Sequence, residues 1–389
     1  MRFVAKLANT LKWLPSYAEH SMRRRRSPDK SHVIIGLADH FEPPYTGKPG
    51  IFRPIEDQVR VLRDWCGRYP ALFDEWRDSD GHPFKHTYFY PIEHYHPETL
   101  SILAEHCRSG WGEVEIHLHH GLDAPDTAEH TREELERVRD RLVEHGCLST
   151  LGDGSGPRYA FVHGNWALAN SSGGQFCGVD EEMQILADTG CYGDFTMPSA
   201  PNSSQVSKIN SIYECDRPLN RRAAHKSGQT LRVGHPQPKF PLMVQGPLLL
   251  HLWRDGRFRP TIETGEIASY APPSVQRLGL WRRASVCIDG RPEWCFVKLF
   301  CHSMAPWDTA TLLGEPMSGF LQQLLQAERE SGDFQLHFVS AREMVNIALA
   351  ACDGKAGNPA AYRDYRLRPF HSTADPADAA SSEASKSKC

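Results

Sequence analysis

The chain lacks the marks of several protein classes. Its 389 residues carry 11 cysteines but no Cys-x-x-Cys pair, and an odd, scattered count is not a disulfide framework. The thiols read as reduced and mostly buried, which predicts a cytoplasmic chain. No apolar run approaches the length of a membrane-spanning helix. The opening MRFVAKLANTLKWLPSYAEH has neither a continuous apolar core nor a small-residue cleavage site, so no secretory signal is expected. The formal net charge is only -4, which argues against a general nucleic-acid partner. No internal repeat is present.

What is there is a globular composition, with 40% hydrophobic residues and 20 histidines, several of them clustered. Phe3, Val4, Leu7, Leu11 and Leu14 recur at helical spacing around Lys6 and Lys12, and Arg23 to Arg26 follow as a basic run. Such a piece can lie weakly on an anionic membrane surface, peripheral to it, or pack on the domain as an ordinary amphipathic helix. Residues 1–30 therefore read as a basic N-terminal extension. Ser372 to Cys389 is Ala, Ser, Asp and Lys without apolar periodicity, which predicts a disordered tail. One domain spans 31–371.

Within it, apolar strand-like runs alternate with helical patterns. SHVIIGLA (Ser31 to Ala38), HTYFY (His86 to Tyr90), YAFVH (Tyr159 to His163), Leu242 to Leu252 and Trp294 to Cys301 read as strands. Ile55 to Ala71, Glu98 to Ser109, Thr131 to Cys147, Asp180 to Thr189, Gly319 to Arg329 and Ala341 to Ala351 read as helices. This alternation predicts a parallel α/β architecture. Polar residues fall just after the strands: Asp39-His40, His117 to Asp123, His163-Gly164-Asn165, Asp194 and His302. In a parallel barrel these positions share one mouth.

The strand Val114-Glu115-Ile116-His117-Leu118-His119-His120-Gly121-Leu122-Asp123 is the richest in chemistry. Period-two alternation places His117 and His119 on one face and Ile116 and Leu118 on the other. Two imidazoles at a strand end, with Asp123 just beyond, suit a divalent metal: zinc first, with nickel, cobalt, iron or manganese also compatible. His120 reads as a loop residue supporting the ligands, and Asp123 equally fits a helix cap near Pro125.

The order of these motifs resembles the polysaccharide deacetylase family. The counterparts are Asp39-His40, His119 through Asp123, Phe161-Val162-His163-Gly164, Tyr192-Gly193-Asp194-Phe195 and Leu299-Phe300-Cys301-His302. The phrases DHFEP, GEVEIHLHH, FVHGNWALANS, CYGDFTMPSAP, KINSIY and FVKLFCHS look like a deacetylase-like group from bacterial exopolysaccharide gene clusters. The resemblance implies a distorted (β/α)7-type barrel with β-rich insertions and a metal-dependent hydrolase that removes acetyl from an amino-sugar or glycan precursor.

It also implies roles. Asp39 matches the catalytic base and His302 the general acid. The ligand set carried over is His40, His119 and Asp123, with Asp39 and His117 as alternates. His163, Asn165 and Trp166 suit a sugar site, and Asp194 would orient the acid or base. A glycosidase on a related barrel and a non-catalytic glycan-binding or assembly protein are the competing readings. The sequence leaves the sugar and the oligomeric state open.

Overall fold

The computed structural model describes residues 2–23, 30–48, 50–254 and 257–370. The tail from Ser372 and the arginines at 24–26 lie outside them. Parallel strands run β1 (Ser31–His40), β2 (His86–Pro91), β3 (Gly112–Leu118), β4 (Pro157–His163), β5 (Cys191–Asp194), β6 (Leu242–Gln245), β7 (Trp294–Cys301) and β8 (Phe334–Val339). They belong to one sheet of thirteen strands, ordered from β6 through β5, β4, β3, β2 and β1 to β7. The short strands Ser211–Cys215 and Gly228–Thr230 extend it antiparallel beyond β6. The chain is therefore an α/β protein built on a large, mostly parallel sheet.

One edge of β1 is shared end to end. Ser31 to Gly36 pair with β8, and Leu37 to His40 pair with β2. Along its other edge β1 pairs with β7 from His32 to Asp39. Register then brings the carboxyl ends together: Asp39 stands opposite Cys301 and Tyr88, Pro91 opposite His117, and Leu118 opposite His163.

The two faces of the sheet bury different elements. Val33, Ile35 and Leu37 of β1, Tyr88 and Tyr90 of β2, Ile116 and Leu118 of β3, Phe161 of β4 and Leu299 of β7 face α2 (Ile55–Phe73), α3 (Pro97–His106), α4 (Ala128–Glu144), α5 (Glu182–Thr189) and α6 (Glu315–Ser331). These helices form where apolar residues recur at three and four. Leu135, Val138 and Leu142 make the buried stripe of α4, and the Thr127 hydroxyl caps its first turn. The other face carries Ile34 and Ala38 of β1, Phe89 of β2, Val162 of β4 and Phe296 and Phe300 of β7. It closes on α7 (Ala341–Cys352), which is buried all round and starts with a Ser340/Glu343 capping box.

The N-terminal helix α1 (Arg2–Arg23) packs on the domain. Its Trp13 is fully buried against Ala200, Ile209 and Leu248, while Leu11 is exposed. Among the described residues no helix is long and apolar enough to cross a membrane. The Leu242–Leu252 run is broken: β6 ends at Gln245, and a second strand, Leu249–Arg254, forms a separate antiparallel pair with Arg257–Glu263.

Candidate metal centre

Strand alternation sorts the polar strand ends into two sets. His40 follows Ile34 and Ala38 onto the face that meets α7, whereas Asp39 follows Val33, Ile35 and Leu37 onto the helix-covered face. His117 lies opposite the Ile116 and Leu118 row, and His302 follows Phe296 and Phe300. The rings accordingly gather. His40 lies 5.0 Å from His117 and 4.5 Å from His302 between centroids, and His117 lies 4.4 Å from His119.

Two glutamates complete the group. Glu42, just past β1, places Oε1 at 3.2 Å from His119 Nε2 and 3.5 Å from His117 Nε2. Glu93, in the turn after β2, accepts from His119 Nδ1 at 2.7 Å. His117 Nδ1 donates to the Val162 carbonyl at 2.8 Å, which orients the ring with Nε2 towards Glu42. That nitrogen is buried and has no hydrogen-bond partner. An imidazole nitrogen facing a carboxylate is a ligand geometry that a cation can use. Glu42, His117 and His119 each offer a ligand atom, all within 4.8 Å of one another. Two imidazoles and one carboxylate are a donor set for zinc or another first-row divalent ion.

The electrostatics follow from packing. Burial alone would raise the Glu42 carboxyl, but the surrounding imidazoles of His117, His119 and His302 hold it down at about 2. Burial would lower His119, yet the hydrogen bond and charge of Glu93, with Glu42, raise it to about 9. In the metal-free form His119 is thus the cation between two carboxylates. His40 is driven well below its ordinary value by burial and by His302, His117 and Lys298, so it stays neutral.

Asp39 does not join this group. Its buried carboxylate accepts from Ser303 N at 3.0 Å, Ser303 Oγ at 2.5 Å and His86 Nδ1 at 2.9 Å. Asp123 is exposed in the loop after β3 and belongs to none of the ligand clusters among the described residues. Gly121, with φ 63°, turns the chain away from the mouth just before it. His40 is within ring contact of the histidines but outside the Glu42–His117–His119 ligand set.

The expected sugar contacts divide as well. His163 is fully buried on the helix-covered face, beside His120. Asn165 is exposed and Trp166 half-buried, both at positive φ in the turn after β4. Asp194 is buried and accepts from Thr196 N at 3.1 Å and Thr196 Oγ1 at 2.8 Å. Burial raises it to about 7, against the pull of those bonds and of Lys298. It organises the loop that holds His163 N through Thr196 Oγ1 at 2.9 Å.

Glu42 and Glu93 are the residues that sequence reasoning passed over. Glu42 carried a signal, standing two positions after His40 in DHFEP. Glu93 carried none, because its place depends on the turn after Pro91. A cavity of about 870 Å³ lies elsewhere, at the amino ends of β1 and β7 beside Ser31, Cys295 and Lys208. It contains none of the clustered imidazoles, so chemistry rather than volume marks the candidate site. In comparison with known proteins, the chain matches no protein-family model, no curated protein and no solved structure.

Proposed function

We propose that the chain is a metal-dependent hydrolase that removes an acyl group, acetyl in the first instance, from an amino-sugar or glycan precursor. The observation that carries this reading is the convergence of His117 Nε2 and His119 Nε2 on Glu42 Oε1, beside the partly exposed His302. Glu42, His117 and His119 would hold the ion, zinc by preference, which when bound polarises an acyl oxygen and acidifies water.

The chain's own groups do the rest. Glu93 orients His119 by its 2.7 Å bond. His40 stays neutral and adds no positive charge beside the ion. His302 stands at the opening, where an imidazolium can protonate a leaving amine. Five residues further along the chain Trp307 is 51% exposed and packs edge-on to Tyr45, while Phe52, 52% exposed, rests on the His94 ring. Exposed aromatic faces at a polar mouth suit a pyranose ring. The same reading favours closure of the parallel strands into the distorted barrel of the deacetylases.

The test is metal content of the purified chain, together with acetate release from N-acetylated amino-sugars. We expect bound metal and acetate, and His119→Ala should lose the acetate release together with the metal held at Glu42, His117 and His119. A metal-free chain that releases no acetate overturns the proposal, and new reducing ends without acetate would point to a glycosidase.

A further inference from the structure

A second group of ligand-bearing side chains lies behind the mouth, on the helix-covered face. His120, His163, Cys177 and Glu182 are all buried, the last three completely. His120 Nε2 is 3.0 Å from His163 Nε2 and 3.1 Å from Glu182 Oε1. His163 Nε2 is 3.4 Å from that oxygen, and Cys177 Sγ is 3.5 Å from Glu182 Oε2. All four residues offer ligand atoms within 4.8 Å of one another. Tetrahedral zinc with bonds of about 2.0–2.3 Å separates its ligand atoms by about 3.3–3.7 Å. The 3.4 and 3.5 Å spacings fall in that range, and the 3.0 and 3.1 Å spacings from His120 Nε2 are slightly shorter.

The outer hydrogen bonds aim the lone pairs inward. His163 Nδ1 donates to the Gly164 carbonyl, and His120 Nδ1 meets the Asp126 carboxylate at 2.8 Å. Each imidazole is thereby held through Nδ1 and turns Nε2 towards the other. Two imidazole nitrogens and a carboxylate oxygen in mutual contact need a cation among them, either a metal ion or a proton on His120. The Cys177 sulfur accepts from Asn170 N at 3.3 Å and Val179 N at 3.4 Å, bonds that oppose burial and Glu182, which raise the thiol. Metal-bound histidines are held through their outer nitrogen by carboxylates and carbonyls in this way.

The backbone is shaped to bring the pieces together. A β-carbon on Gly121 would stand 2.2 Å from the Cys177 carbonyl oxygen, so only glycine lets the two loops meet there. Phe176 N and Asp126 N then zip them, bonding to Gly121 O at 3.0 Å and Cys177 O at 2.8 Å.

We infer that His120, His163, Cys177 and Glu182 form a closed structural zinc site that clamps the loops after β3 and β4 to the start of α5. It is a four-ligand buried site, unlike the three-ligand mouth, and needs no substrate. Its place gives it a consequence. His119 and His120 are consecutive, so the clamp fixes the strand end that presents His119 to Glu42. The inference does not depend on the hydrolase reading.

The competing state is a metal-free one in which His120 is protonated. Burial works against that proton, but Asp126, Cys177 and Glu182 hold it on. Cobalt replacement in the full-length chain separates the two states. Cobalt bound here gives a near-ultraviolet thiolate charge-transfer band, and Cys177→Ser removes the band together with about one metal equivalent. His119→Ala leaves the band in place, whatever it does to acetate release. Cys301 lies in another cluster, with Asp39 and His86, so Cys301→Ser is the control and should keep the band. If Cys177→Ser does not fold, the wild-type and Cys301→Ser spectra still decide. A chain that takes up no cobalt, or binds it without the band, or loses the band in Cys301→Ser, overturns the inference.

Discussion

The imidazole of His119 sits against the α-carbon of Gly164: a β-carbon there would stand 2.2 Å from His119 Cδ2 and 2.9 Å from Nε2. The glycine after β4 thus sets where the ring can rest, and Glu93 and Glu42 hold its two nitrogens. Gly164→Ala must displace the ring and draw Nε2 off Glu42. We expect zinc affinity at the mouth to fall by about tenfold or more, as when a group supporting a ligand is lost. Stability should drop by only about 1–2 kcal/mol. Zinc titration and urea unfolding of the same preparation check both, and unchanged affinity would mean that the ring yields without losing its partners.

How much of this was legible in the sequence depends on the range of the interaction. The alternation in Val114 to His119 is local and period two, so the shared face of His117 and His119 could be read directly. The same parity places His302 with His40, and β1 and β7 were both readable as strands. Ligand identity was not readable, because Glu42 and Glu93 reach His119 through turns whose geometry no spacing rule fixes. Asp123 looked apt by its proximity and by the resemblance, but it lies exposed beyond the left-handed turn at Gly121. The cluster of His120, His163, Cys177 and Glu182 joins residues separated by up to 62 positions, and three loops must fold before it exists. The β-branched and aromatic runs gave the strands, but the end-to-end sharing of one β1 edge by β8 and β2 is a tertiary choice with no local signature.

Away from the mouth, Glu343 fastens α7. It accepts from Lys85 at 2.8 Å and Arg363 at 3.2 Å in a buried setting, and closes the capping box with Ser340. Burial would raise its carboxyl, but Lys85, Arg363 and Arg342 outweigh that and hold it below the ordinary 4.5. A depressed carboxylate contributes stability above its unfolded pKa, and that stability is lost as pH falls from about 4.5 through the folded value. Glu343→Ala leaves two buried cations short of their partner and should cost about 3–5 kcal/mol at neutral pH. Its stability should also fall less steeply than wild type below pH 4.5. Denaturant melts across that range give the comparison, and parallel acid limbs would rule out Glu343 as their source.

Trp307 tests the rim. Its indole rests on the hairpin turn, where a β-carbon on Gly47 would meet Cζ3 at 2.3 Å, and its other side is open. An aromatic face stacked on a sugar contributes binding without touching the reacting bond. Trp307→Ala should therefore raise KM by about tenfold, worth ~1.4 kcal/mol, and leave kcat within about twofold. Steady-state kinetics on an acetylated amino-sugar would show it. A fall in kcat with KM unchanged would place the indole against the reacting centre instead.

Asp39 separates a positioning role from a catalytic one. Its two oxygens take three donors, from Ser303 N, Ser303 Oγ and His86 Nδ1, and no part of it is exposed. A general base must reach the proton it removes, directly or through one water. This carboxylate instead ties the end of β1 to β2 and to the turn that carries His302. Asp39→Asn keeps the shape but presents an amide N–H₂ to donors that expect an oxygen. We expect a loss of about 2–3 kcal/mol in stability, the scale of bonds to a charged acceptor. The pH dependence of the remaining acetate release should match wild type, because no titrating catalyst has been removed. Were Asp39 the base, stability would hold, kcat would collapse, and the acid limb of the rate profile would disappear. Unfolding curves and pH–rate profiles on the one variant distinguish these outcomes, since a clamp moves the first and a base moves the second.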